Sequence, residues 1–141
     1  MSPPDVPLLR SPRRYFTPDE ANAVLAAVRE RVAFLERGLQ RAHELSTTLE
    51  RSTTGREVTQ AEIDGLKAEV RAAMEEIGRH GVEIKGVRPA LLDFPALRDG
   101  QEVYLCWKEG EDAITHWHPL HTGIRGRQPL AGDTGNWTWF D

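Results

Sequence analysis

The chain has a single cysteine, no long apolar run and no excess of positive charge, and each shortage excludes a class of protein. One cysteine among 141 residues cannot build an internal disulfide framework, and it favours a reducing compartment. The opening MSPPDVPLLRSPRR lacks the apolar core of a signal peptide, and no other stretch is long enough to span a bilayer. The net charge of −4 and the pI of about 5.7 argue against nucleic-acid binding. No nucleotide or flavin motif is present. These absences predict a soluble cytoplasmic protein without nucleic-acid or membrane partners.

The length and the changes in composition predict one domain between two tails. A chain of 141 residues can bury a substantial core. Residues 1–14 contain four prolines and three arginines and are expected to form a flexible tail. Residues 15–130 are predicted to form a single α+β domain, with a helical hairpin over 17–81 and a β-rich part over 82–130. Residues 131–141 are predicted to be a C-terminal tail.

A long first helix is predicted over residues 18–51. Thr17, Pro18 and Glu20 form the pattern of a capping box with proline at the first helical position. Gly38 lies within the helix and costs about 1 kcal/mol relative to alanine, so another interaction must hold the helix there. Along the helix, apolar residues recur at alternating spacings of four and three, and only the position of Ser46 lacks the expected apolar residue. This heptad stripe consists of Leu25, Val28, Val32, Leu35, Leu39, Ala42 and Leu49.

A second helix is predicted over residues 60–80, after a break at Ser52–Gly55. Thr59 and Glu62 suggest another capping box, and Val58 and Ile63 are spaced for a hydrophobic staple. Because the two apolar stripes match and the connection is short, the helices should form an antiparallel hairpin. The first helix is longer, so its first turns should extend beyond the second helix and pack on the β-rich part.

The remaining sequence alternates with a period of two and predicts short strands. They are expected at 82–85, 91–94, 103–107 and 113–118, with a hairpin loop at 108–112 and an irregular segment over 123–130. The predicted fold class is therefore α+β, a long antiparallel helical hairpin packed on a small antiparallel β-sheet.

The hairpin segment EVYLCWKEGEDAITHWHPLH, residues 102–121, is the strongest candidate for a functional site. It holds the only cysteine, two of the four tryptophans and three of the five histidines. With a five-residue loop, Cys106 would lie opposite Ile114, and Tyr104 would lie opposite His116. Glu102 would then face His118. Cys106, His116 and His118 would share one surface, whereas a one-residue change in the loop would send both histidines to the other face.

Thiolate and imidazole together suit zinc, copper or nickel, with zinc the best match. The predicted metal ligands are His118, His116 and Cys106, with His121 and Glu111 as additional donors. An open coordination position would allow hydrolysis by metal-activated water, but no catalytic residue can be assigned. Two alternatives remain open. Cys106 can be a small buried hydrophobe beside hydrogen-bonded histidines, or a thiolate activated by a histidine without metal.

Three arginines and the aromatic C-terminus form weaker patterns. Arg98, Arg125 and Arg127 can bind a carboxylate or phosphate near flexible glycines. Alternatively they pair with acidic residues such as Asp93 and pin the loops. The tail Trp137–Phe140 is apolar enough to cover a hydrophobic patch on this chain or on a neighbour.

A second function from another class is also compatible with the sequence. The heptad stripe could extend into a self-association surface and make the protein a non-catalytic homodimeric scaffold or a protein-interaction module. A homodimer is expected under either function, and the sequence does not identify another protein partner.

Several landmarks together resemble an uncharacterised bacterial family, domain of unknown function 2203, over roughly residues 15–130. They are Tyr15–Asn22, Leu92–Ala96 with Arg98–Gly100, Val103–Glu111 continuing to Trp117–His118, and Gly123 with Gly126–Leu130. The resemblance implies a small protein with a helical hairpin followed by a compact β-rich part, and it implies no activity. Its matching polar positions are Asp93, Arg98, Cys106, Glu111, His118 and Arg127, with Trp107 and Trp117 beside them. This chain departs from the family pattern at Pro119 and His121, where acidic residues are expected.

Overall fold

A helical hairpin packs on a five-stranded antiparallel sheet, which confirms the predicted α+β fold class. The computed structural model describes residues 13–139, so most of the predicted N-terminal tail and the last two residues of the C-terminal tail lie outside the described chain. The elements are α1 (Pro18–Arg51), α2 (Arg56–Arg79), β1 (Glu83–Val87), β2 (Ala90–Arg98), β3 (Gln101–Lys108), β4 (His116–Pro119), a 3-10 helix (Gly123–Gly126) and β5 (Gln128–Pro129). The strand order in the sheet is β1-β2-β3-β4-β5.

The start of α1 is fixed by the capping box that the sequence predicts. The Glu20 amide donates to the Thr17 hydroxyl at 3.2 Å, and the Thr17 amide donates to Glu20 Oε1 at 2.9 Å. Two of the amides left free at a helix start are thereby satisfied. Near the other end the predicted stripe is corrected, because Leu45 is buried and Leu49 is only half-buried. The buried residues of α1 are Ala21, Leu25, Val28, Val32, Leu35, Gly38, Ala42 and Leu45.

The predicted start of α2 is wrong by four residues, because the helix begins directly after the expected break, with Gly55 rather than Thr59 as its N-cap. Gly55 has φ 67° in the left-handed region and serves as the N-cap of a helix that begins at Arg56. Thr59 therefore lies inside the helix, where its hydroxyl donates to the Gly55 carbonyl at 3.1 Å. Val58 is exposed and makes no hydrophobic staple. Residues Ile63, Val70, Ala73 and Ile77 form the buried stripe of α2.

Gly38 lies where α1 and α2 pack tightly against each other. A Cβ atom at this position would lie 2.8 Å from Cγ2 of Val70. Glycine therefore lets α1 and α2 pack together at a point where any side chain would push them apart.

One face of the sheet packs on the helices and forms the core with them. Phe16 and Phe94 meet edge to face, with ring centroids 5.4 Å apart. Leu25 and Val28, in the first turns of α1, belong to the same hydrophobic cluster as the inner sheet residues. The sheet thus covers the part of α1 that was expected to extend beyond α2. The inner sheet residues of this cluster are Ala90, Leu92, Phe94, Ala96, Val103, Leu105 and Trp107.

Strand β2 continues through Pro95 to Arg98, although the sequence predicted a shorter strand over residues 91–94. β1 pairs with β2 only as far as Asp93, so Pro95 lies beyond the last residue that β1 covers. A missing amide is tolerated where one side of a strand has no strand partner. The Phe16 amide instead donates to the Pro95 carbonyl at 2.8 Å.

The predicted register of β3 and β4 is wrong by two residues. Cys106 pairs with His116, and Tyr104 pairs with His118. The reason lies in the loop, which runs over residues 109–115 because Ile114 turns into the core and its amide donates to Asn22 Oδ1 at 2.8 Å. A shift of two residues preserves the face on which each side chain lies.

The segment after β4, predicted to be irregular, contains the 3-10 helix and β5, which pairs with β4. Residues 131–139 then return along the sheet, where Trp137 packs on the core and meets Trp117 at 5.8 Å between ring centroids. In the described chain, neither helix has a stretch apolar and long enough to cross a membrane.

Candidate metal centre

Three polar side chains meet on the outer face of the sheet, opposite the helices. Asp93 pairs with Cys106 across β2 and β3, and His118 extends from the neighbouring β4. All three are buried, with 4, 2 and 2% exposure respectively. One donor atom from each lies within 4.8 Å of the other two. We call these residues the Asp–Cys–His cluster.

Both ring nitrogens of His118 have acceptors. Nδ1 lies 2.7 Å from the Pro119 carbonyl, and Nε2 lies 3.1 Å from Oδ1 of Asp93. Burial lowers the pKa of His118, but hydrogen bonds with Asp93, Cys106 and the Pro119 carbonyl, together with the Asp93 charge, raise it to about 10. At neutral pH, without a metal, the imidazole therefore carries a proton on each nitrogen and forms a buried ion pair with Asp93.

A basic residue and a phenol border the cluster. The bulge between Ile84 and Gly86 brings the Lys85 ammonium to 3.8 Å from Asp93 Oδ2 and 3.3 Å from Glu83 Oε1. Lys85 also lies 4.4 Å from the ring centroid of Tyr104. Burial lowers the pKa of Lys85, but Tyr104, Asp93 and Glu83 raise it above its usual value. The Tyr104 hydroxyl donates to Glu83 Oε1 at 2.8 Å.

A small cavity of about 150 Å³ opens above the cluster. Its apolar walls come from Leu91 on β2 and from the segment that follows β4, which contributes Leu120, Gly123 and Ile124. Lys85 lines the same cavity. A ligand bound at the cluster would therefore face a partly open and largely hydrophobic space with one cationic group.

Of the five predicted metal ligands, Cys106 and His118 belong to the cluster, and the other three lie elsewhere. His116 pairs with Cys106 across the strands, but its Nδ1 lies 2.9 Å from the Thr115 hydroxyl, and it is not among the three converging residues. His121 is exposed in the turn after β4. Glu111 is held by Arg127.

Two of the three arginines considered for anion binding, Arg98 and Arg127, have acidic partners. Arg127 Nη2 lies 2.8 Å from each carboxylate oxygen of Glu111 and 3.4 Å from the Cys106 carbonyl, so it ties the β3–β4 loop to the strand that carries the cysteine. Arg98 donates to Asp133, with Nη2 3.0 Å from Oδ1. Both contacts are charge-assisted hydrogen bonds.

Reasoning from sequence did not assign Asp93 as a metal ligand and did not identify Lys85 as a neighbour of the site. Asp93 did carry a usable signal, because a lone carboxylate inside the apolar run Leu91–Phe94 is costly to bury without a partner. Lys85 carried none, because its position depends on a bulge that sequence periodicity does not reveal.

Comparison with known proteins identifies a family and no function. The family model described as "Uncharacterized conserved protein (DUF2203)" matches residues 14–130. No curated protein and no solved structure gives a significant match.

Proposed function

The chain belongs to the DUF2203 family of uncharacterized conserved proteins, and from the geometry of its Asp–Cys–His cluster we propose that it binds a transition-metal ion. The observation that carries the proposal is the convergence of a carboxylate, a thiol and an imidazole, all buried, from three adjacent strands. Rigid strands hold donor atoms more accurately than loops do. Aspartate, cysteine and histidine are all established zinc ligands.

The donor set favours zinc among the available ions. A thiolate disfavours magnesium and calcium, which prefer oxygen ligands, whereas a mixed sulfur, nitrogen and oxygen set suits zinc and its neighbours in the transition series. Zinc bonds of about 2.0–2.3 Å hold tetrahedral donors about 3.3–3.8 Å apart. The donors of the cluster lie within 4.8 Å, so side-chain movements of about an ångström would bring them to bonding distance.

The surroundings of His118 support the same role. Its Nδ1 proton is directed at the Pro119 carbonyl, an outer contact that commonly orients a metal-binding histidine and leaves Nε2 for the ion. A bound ion would replace the Nε2 proton and the thiol proton of Cys106. Three protein ligands would leave one coordination position of a zinc ion open, and the cavity adjoins the same three residues. Such open positions allow zinc to activate water or bind a substrate.

Elemental analysis by mass spectrometry tests the proposal. We expect untagged protein, purified without chelator or reconstituted with zinc, to retain about one equivalent of metal. The double variant Asp93→Asn/Cys106→Ser should retain less than a tenth of that amount, because it removes both anionic ligands. Circular dichroism of the metal-free variant would show whether it has kept its fold.

Matched controls come from the same segment. His116→Ala and His121→Ala remove predicted ligands that lie outside the cluster, and we expect both proteins to keep their metal. Cobalt substitution should also give a thiolate-to-metal charge-transfer band in the wild type and not in Cys106→Ser. Failure of the wild type to retain zinc, copper, nickel or iron after incubation with each would leave the cluster as a buried ion pair beside a cysteine and would overturn the proposal.

The homodimeric scaffold, which is the second function that the sequence suggested, stays a prediction. Within one chain, the apolar stripe of α1 is already buried against α2 and the sheet, with Val28 and Leu35 each 1% exposed. Self-association would therefore have to use other surfaces. For this reason we favour the metal centre over the scaffold.

A further inference from the structure

The cavity above the Asp–Cys–His cluster has the dimensions of a binding site for a very small molecule. Its volume is about 150 Å³. Pockets for drug-sized ligands and cofactors are larger, from about 300 Å³ upward. The cavity therefore suits a molecule smaller than a nucleotide or a flavin.

The mouth of the cavity is unusually apolar for a protein surface. Leu120 and Ile124 are 44 and 37% exposed, and both line this cavity. They are two of the five large hydrophobic side chains that are exposed within residues 13–139, the others being Val58, Met74 and Trp139. Exposed apolar groups gathered around one opening indicate that part of the ligand is hydrocarbon.

The charged end of the cavity is Lys85. Its ammonium group lies over the Tyr104 ring, with Asp93 and Glu83 nearby, so these contacts hold the partly exposed side chain at the edge of the cavity. A protonated lysine is a compact donor of three hydrogen bonds and suits a carboxylate. The open position of a zinc ion at the cluster would accept the same group.

From this arrangement we infer that the cavity binds a short aliphatic carboxylate. The carboxylate contacts Lys85 and the ion at the cluster, and the hydrocarbon chain lies between Leu91, Leu120 and Ile124. The contact with the ion rests on the proposed metal site, whereas the contacts with Lys85 and the apolar walls do not.

Isothermal titration calorimetry with acetate, propionate, butyrate and butyramide tests the inference on zinc-reconstituted and metal-free protein. Affinity should rise about fourfold for each methylene from acetate to butyrate, because each added group is buried. Butyramide, which has the same shape without the charge, should bind at least about tenfold more weakly than butyrate.

Two variants separate the two ends of the pocket. Lys85→Met should weaken butyrate binding about tenfold and keep the dependence on chain length. Leu120→Ser should reduce that dependence and keep the preference for carboxylate over amide. Lys67→Met, a change of an exposed lysine on α2, should leave binding unchanged. Circular dichroism of each variant excludes unfolding as the cause.

Metal content measured on the same samples distinguishes failure of this inference from failure of the metal site. Protein that contains zinc but binds no carboxylate, or that binds all four compounds equally, overturns the inference alone. Carboxylate binding that depends on Lys85 in protein that cannot retain metal supports the pocket and overturns the metal site. Absence of both metal and carboxylate binding overturns both proposals.

Discussion

At the scale of single residues, Gly38 illustrates how a locally unfavourable choice can be required by packing. Glycine in a helix interior costs about 1 kcal/mol relative to alanine. Here a side chain would collide with Val70, since an added Cβ would lie 2.8 Å from its Cγ2 atom. The β-branched Val70 is buried in the interface and has little freedom to move away.

Replacement of Gly38 by alanine should therefore destabilise the protein despite the higher helix propensity of alanine. We expect a loss of about 1–3 kcal/mol in the free energy of unfolding, the usual range for overpacking a helix interface. Urea denaturation measures it. Gly65→Ala on α2 is the matched control, because a Cβ there meets nothing within 4 Å, and it should be neutral or stabilising by up to about 1 kcal/mol. Equal effects of the two substitutions would contradict the role given to Gly38.

At the scale of elements, a pair of carboxyl groups joins α1 to the sheet. Glu36 on α1 shares a hydrogen bond with Glu109, which follows β3 and also accepts from the Ala90 amide at 2.8 Å. Burial, this hydrogen bond and the charge of Glu109 raise the pKa of Glu36 from 4.5 to about 7, against the opposing effect of Arg88. The hydrogen bond from Glu36 in turn lowers the pKa of Glu109, which makes Glu109 the ionised partner.

Stability should consequently depend on pH through this contact. The folded state keeps the Glu36 proton up to about pH 7, whereas the unfolded chain loses it near 4.5. The contribution of Glu36 is therefore fully present below pH 4.5 and is lost as the pH rises through about 7. Glu36→Gln cannot ionise but still donates to Glu109, so its unfolding free energy should fall less between pH 5 and pH 8 than that of the wild type.

Thermal or urea denaturation across this pH range provides the measurement. Glu44→Gln is the control, because Glu44 is also on α1 and lines the same surface groove as Glu36 and Glu109. Its unfolding free energy should change with pH as that of the wild type does. Identical slopes for the wild type and Glu36→Gln would show that the two carboxyl groups do not share a proton in solution.

The elements also show which parts of the fold are predictable from sequence. The Thr17 capping box and the helical stripes are local patterns, and they predicted α1, α2 and their antiparallel pairing. The start of α2 and the register of Cys106 were missed by four and two residues. The first error came from placing the N-cap at Thr59 instead of Gly55, whereas the second depends on a tertiary contact. Asn22 on α1 binds the Ile114 amide and thereby sets the length of the β3–β4 loop, a contact that spacing alone does not indicate.

At the scale of the whole molecule, residues 131–139 pack on the core through Trp137, although they lie beyond the region that matches the family model. Asp133 binds both Arg98 and the indole of Trp137, with Nε1 2.9 Å from Oδ2. Arg98 also stacks on Trp117, with its guanidinium carbon 4.7 Å from the ring centroid. These contacts hold residues 131–139 against the side of the sheet that faces the helices.

Loss of the Trp137 side chain should weaken the whole fold. Trp137→Ala removes the contact with Trp117 and the hydrogen bond to Asp133, and we expect a loss of about 1–3 kcal/mol in the free energy of unfolding. The exposed neighbouring substitution Thr134→Ala should change it by less than about 0.5 kcal/mol. Equal stabilities of these two variants in urea would mean that the segment contributes nothing to the core.

The sequence predicted the type of the candidate site, but not every residue that forms it. Alternation along β3 and β4 predicted that Cys106 and His118 share a face, which a register error of two residues leaves unchanged. Asp93 comes from β2, and its approach to Cys106 requires the order in which three strands pair. Strand order is a global property of the chain, so local spacing could not show which of the polar residues would meet.

The hydrogen bond between the two ends of the described chain has a consequence for its connectivity. Trp139 Nε1 donates to Glu20 Oε1 at 2.8 Å, beside the residues at which the described chain begins. A short glycine-rich linker could therefore join residues 13 and 139. New chain termini could then be placed in the exposed turn at 53–55 between α1 and α2. In such a circular permutant the sheet would come before α1 in the chain while every strand kept its neighbours. The order in which this protein is synthesised is thus separable from the architecture that it adopts.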